Sequence, residues 1–113
     1  MDVLSSRVLV RPSDPERSRR FYRDTLGLAV AREFGPADHP GVVFFLGNGL
    51  LELSGRSAGP PRGMSLWLQS GTVLHPPQRE PWGLVECWVE DPDGVPIVLV
   101  EVPEDHPLRR DQR

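Results

Sequence analysis

Along most of this chain apolar and polar residues alternate in short runs, and one stretch breaks that rhythm with a longer period. In Asp14–Leu28, Ser18, Phe21, Tyr22, Thr25 and Leu26 recur three and four positions apart, while Arg17, Arg19, Arg20 and Arg23 fill the rest. That spacing predicts a helix with one apolar or small face. Both ends are marked. Asp14 is placed to accept from the first-turn amides, and Pro15 sits where a missing N–H costs nothing. Glu16 adds negative charge at the positive end of the helix, and Gly27 is the left-handed stop.

The flanking runs read as strands. Arg7–Arg11 alternates and is closed by Pro12. Ala29–Phe34 follows the helix, and Gly35–Gly41 is a loop with two prolines and His39. Val42–Leu46 and Leu50–Ser54 are joined by Gly47-Asn48-Gly49, a hairpin signal because these residues tolerate positive φ. The order is β-α-β-β-β. After the Gly/Pro-rich stretch Gly55–Gly63, a second set begins with Met64–Gln69 and a short apolar piece at Val73-Leu74. Leu84–Val89 and Val95–Val102 form a second hairpin around Asp91-Pro92-Asp93-Gly94. The polar segment Glu104–Arg113 is expected to fray.

Two signatures carry a resemblance. Asp-Pro-x-x-Ser-x-x-Phe-Tyr-x-x-x-Leu-Gly-Leu, at Asp14–Leu28, resembles the first helix of the vicinal oxygen chelate superfamily. That group includes glyoxalase I, extradiol dioxygenases, and fosfomycin- and bleomycin-resistance proteins. Pro81-Trp82-Gly83 followed by Asp91-Pro92-Asp93-Gly94 resembles its later motif. The resemblance implies an α+β fold in which paired β-α-β-β-β modules curl their mixed sheets into a cup. Module one spans 7–54, a linker 55–63, module two 64–102 and a tail 103–113, within one domain. It also implies a homodimer. The family places a helix between the fifth and sixth strands, yet only Ser70-Gly71-Thr72 separates Gln69 from Val73. A crossover of that kind needs about a dozen residues. Either a segment is missing there, or the connection is truly short and the module borrows its cover from a partner chain.

Metal-dependent relatives carry His, Gln or Glu at four inward positions. By the resemblance these fall on Arg7, Glu52, Ser65 and Val98. Only Glu52 is a competent ligand, and a guanidinium repels a divalent cation. No metal and no cofactor are therefore expected. Strand alternation gives the rest of the lining. Arg7 and Leu9 share a face, as do Leu50 and Glu52. So do Ser65, Trp67 and Gln69, then Glu86 and Trp88, then Pro96, Val98 and Val100. Trp82 lies in the loop that borders the cavity mouth in relatives. The expected ligand-binding set is Arg7, Leu9, Leu50, Glu52, Ser65, Trp67, Trp82, Glu86, Trp88 and Val98. Indoles beside a few polar groups suit a flat or partly cationic organic ligand.

Each residue also has a plain structural reading. Trp67 and Trp88 fit a core, and Arg7 and Glu52 fit a simple ion pair. His39, His75 and His106, all beside prolines, fit solvated loops. Cys87 falls on the face opposite Trp88 and fits a small buried residue. No nucleophile arrangement, phosphate-binding glycine motif or zinc spacing is present.

Composition sharpens this only at the edges. The 113 residues carry a net charge of −3, and all 13 basic residues are arginine. That balance argues against a nucleic-acid or membrane-surface role. The one cysteine excludes an intrachain disulfide and suggests the cytoplasm. No apolar run is long enough to span a bilayer. Three functions emerge as expectations. The first is a metal-free binder, similar to bleomycin-resistance proteins, that sequesters a small aromatic molecule. The second is a metal-dependent enzyme of glyoxalase or dioxygenase type. The third is a metal-free lyase or isomerase using Glu52 or Glu86 as base.

Overall fold

Asp14 caps the helix as its position suggests: its Oδ1 accepts from the Arg17 amide at 3.2 Å. In the computed structural model, which describes residues 1–57, 59–70, 78–79 and 85–101, the helix α1 spans Pro15–Arg20. It does not continue as an α-helix to Leu26. Phe21–Thr25 is a π-helical turn, and the Leu26 amide reaches back five residues to the Phe21 carbonyl at 2.9 Å. The Leu28 amide then bonds the Tyr22 carbonyl at 3.0 Å, with Gly27 at φ 74°. The apolar positions keep this segment on the sheet, while the wider turn re-aims the chain beyond Thr25.

The first unit, residues 1–63 with 91–94, holds four strands: β1 (Arg7–Val10), β2 (Val30–Phe34), β3 (Gly41–Leu46) and β4 (Gly49–Leu53). Their order is β1-β4-β3-β2, with β1 parallel to β4 and the other pairs antiparallel. Gly47 at φ 58° and Asn48 at negative φ make the two-residue β3–β4 turn, a geometry that requires glycine first. Register sets two faces. Val10, Leu53 and Val42 form one row and Leu51 with Phe44 the next; all five are buried. Tyr22 and Ser18 join this core, and the Tyr22 ring lies 6.3 Å from that of Phe44.

The Asp91-Pro92-Asp93-Gly94 turn packs with this unit, although it links two strands of the other. The Tyr22 hydroxyl donates to Asp91 Oδ2 at 2.8 Å, and Asp91 Oδ1 accepts from the Asp93 amide at 2.8 Å. The Asp93 carboxylate in turn accepts from the Ser13 amide at 3.1 Å and from the Ser13 hydroxyl. Asp91 is 5% exposed. The turn, expected within residues 64–102, thus groups with residues 1–63.

The second unit holds β5 (Leu66–Ser70), β6 (Gln78–Arg79), β7 (Val85–Glu90) and β8 (Pro96–Glu101). Its order, β5-β8-β7-β6 with β5 parallel to β8, repeats that of the first sheet. No helix occurs among its described residues. The Ser70-Gly71-Thr72 connection runs into residues 71–77, which are not among the described residues. Val73-Leu74 lies outside the described residues. The strand at Gln78–Arg79 was not anticipated, because two polar residues show no alternation. Ile97 and Val100 are fully buried, and Leu66, Cys87 and Val95 nearly so.

Candidate functional site

In the first unit, the sheet face away from α1 is open in part, with Val43 buried and its neighbours Leu9 and Phe45 exposed. Strand pairing puts Phe45, Leu50 and Arg7 in one row and Arg32, Val43, Glu52 and Leu9 in the next. Leu9 is 66% and Phe45 55% exposed, an unusual position for such side chains on a sheet. Phe45 was not anticipated; Val42–Leu46 reads as a continuous apolar run, and such a run does not say which face is left uncovered. Arg7 and Glu52 meet at 2.7 Å from Nη1 to Oε1, with side chains 36% and 25% exposed. The guanidinium thus occupies the one carboxylate on this face.

In the second unit, Trp67, Val98 and Trp88 form a single row across β5, β8 and β7. Val98 is 8% exposed, whereas Trp67 and Trp88 are 52% and 65% exposed. The indoles are therefore not core side chains of this chain. They stand on either side of Val98, about 10 Å apart at the backbone, two inter-strand spacings. The next row holds Gln69, Val100 and the backbone of Glu86. Cys87 faces the other way and is buried. Ser65 is exposed and precedes β5 rather than lying in it, so it is not a strand position. Trp82, His75 and His106, and the side chain of Glu86, lie outside the described residues.

A metal centre does not fit these side chains. Of the four positions that the resemblance selects, Arg7 is a cation, Glu52 is bound to it, Ser65 is exposed and Val98 is aliphatic. Among the described residues no three His, Cys, Asp or Glu side chains converge.

A groove that the sequence did not suggest runs between α1 and the Gly35–Pro40 loop. It is lined by Asp14, Glu16, Arg19, Asp38, His39 and Gly55, with a volume of about 210 Å³. Its charges are answered locally: Arg19 lies 3.9 Å from Glu16 and 3.7 Å from Glu33, and His39 Nδ1 lies 2.9 Å from Asp38. His39 is only part-exposed, so it is less solvated than a proline-flanked loop histidine was expected to be. Gly55 is needed here because a Cβ would strike the His39 carbonyl.

The family model of the Glyoxalase/Bleomycin resistance protein/Dioxygenase superfamily matches residues 5–68. No curated protein matches the chain in sequence. Solved structures share the fold. A protein of unknown function from Agrobacterium tumefaciens str. C58 is 23% identical, with a TM-score of 0.67 over 91% of this chain and 97% of that one. TioX from Micromonospora sp. ML1 is 17% identical, with a TM-score of 0.67 over 88% of this chain and 98% of that one. A lactoylglutathione lyase from Agrobacterium tumefaciens is 15% identical, with a TM-score of 0.61 over 89% and 95%.

Proposed function

The chain belongs to the Glyoxalase/Bleomycin resistance protein/Dioxygenase superfamily, and from that premise we propose that it binds and sequesters a planar aromatic or cationic small molecule without a metal. The observation that carries this reading is the row Trp67–Val98–Trp88, two half-exposed indoles flanking a buried valine. Leaving two indoles in water forgoes roughly 1.5–3 kcal/mol of burial apiece. A flat ring over Val98 recovers much of that, since each flanking strand is about 5 Å away. Aromatic pairs favour ring separations of roughly 4.5–7 Å, and each pair adds on the order of 0.5–1.5 kcal/mol. The electron-rich indole faces also attract a cation.

Glyoxalase-type catalysis finds less support in these residues. To act as ligand or base Glu52 would first have to part from Arg7, which it meets at 2.7 Å, and the other positions that the resemblance selects supply no ligand. The test is titration with the planar acridine cation proflavine. Saturable quenching of tryptophan emission, unchanged by EDTA or added Zn²⁺, supports the reading. Binding that requires added metal, or no binding of any planar compound, contradicts it.

A further inference from the structure

Resting on that reading, we infer that Gln69 makes the indole face selective for planar ligands that carry a hydrogen-bond donor on the ring edge. Gln69 lies two residues after Trp67 on β5, on the same face and about 7 Å along the strand. Opposite it stands Val100, which is fully buried and offers no polar group. The Gln69 Oε1 atom is sealed from solvent and has no hydrogen-bond partner among the described residues. The side chain as a whole is part-exposed.

A buried acceptor left unpaired costs about 1–3 kcal/mol, and native proteins hold few of them. The only other such atom among the described residues is Ser18 Oγ. It lies in the core of the first unit, between the helix and the sheet. The strand carbonyls around Gln69 cannot donate, and Val100 beside it is aliphatic. A ligand can supply the missing donor. A ring stacked over Val98 presents its rim to the next row, where Gln69 stands. The terminal torsion of a glutamine is broad, so the oxygen can adjust to a donor that a bound rim brings against it. A ligand with an N–H or O–H there removes the penalty; one without it leaves the oxygen unpaired.

The test compares carbazole with dibenzofuran, tricycles of the same outline in which an N–H is replaced by an ether oxygen. Equilibrium dialysis against the full chain gives both affinities. The inference predicts carbazole binding about tenfold tighter, the scale of one hydrogen bond to a buried partner. Gln69→Leu should bring the two affinities within about twofold, chiefly by weakening carbazole, without lowering the melting temperature. Gln69→Glu, which keeps an acceptor, should retain the preference. Should Gln69→Leu fail to fold, Gln69→Met is read by the same ratio. A preference that persists in the leucine or methionine variant, or equal binding by the wild type, overturns the role of Gln69 and leaves the binding reading standing. If neither tricycle nor proflavine binds, both fall.

Discussion

The Tyr22 hydroxyl donates to Asp91 Oδ2 over 2.8 Å, joining positions 69 residues apart in a site closed to water. This contact holds the Asp91–Gly94 turn against the helix that the sequence marks most strongly. Tyr22→Phe removes one donor from a buried carboxylate. We expect a loss of about 1.5–3 kcal/mol, read by urea denaturation, with the fold retained. A variant as stable as the wild type would show that the clasp contributes nothing.

The same tyrosine predicts a pH dependence. Burial first, then the hydrogen bond to Asp91, raises its pKa well above the ordinary 10.0. The folded state therefore keeps this proton when the unfolded chain has lost it. The associated stability is full below about pH 10 and declines above it by up to about 1.4 kcal/mol per pH unit. Tyr22 is the only tyrosine, so absorbance at the phenolate band should rise only as the protein unfolds in alkali. A titration with a midpoint near 10 in folded protein would contradict the buried hydrogen bond.

Arg7 and Glu52 make a direct pair, but both are partly open to solvent. The pair is therefore worth less than a sealed one. A double-mutant cycle with Arg7→Met and Glu52→Gln should give a coupling of no more than about 1 kcal/mol, reduced in high salt. A coupling of several kcal/mol, insensitive to salt, would mean that water is excluded from this face.

Two glycines test the backbone geometry. A Cβ on Gly41 would meet the tip of the Phe34 ring, which can swing away, whereas one on Gly55 would meet the His39 carbonyl and lie 2.7 Å from the carbonyl carbon of Pro40. Gly55→Ala should thus destabilise by about 1–3 kcal/mol, more than Gly41→Ala does, in thermal melts of the two variants. The reverse order would contradict this packing of the loop.

Local and periodic features are the ones legible in the sequence. Asp14, Pro15 and Gly27 bound the helix within their own neighbourhood, and alternation alone separates Trp88 from Cys87. Gly47-Asn48 declares its turn because only certain residues accept positive φ. The rest depends on partners far along the chain. Asp91 and Asp93 read as turn residues, and nothing local says that Tyr22 and Ser13 hold them. The π-helical turn at Phe21–Thr25 leaves no mark, since its residues suit an α-helix equally well. Gln78–Arg79 becomes a strand only because β7 is there to pair with it. The exposure of Trp67 and Trp88 is likewise invisible in the sequence: alternation shows that they share a face, not that their indoles stand in solvent while Val98 between them is buried.

The most direct measurement is therefore made on Trp88, by melting and proflavine titration of the same Trp88→Ala protein. At 65% exposure, its loss should cost the fold less than about 1 kcal/mol. Affinity for proflavine should fall about tenfold, equivalent to roughly 1.4 kcal/mol of lost contact. A protein that melts much earlier yet binds proflavine as the wild type does would make Trp88 a packing residue and contradict the binding function.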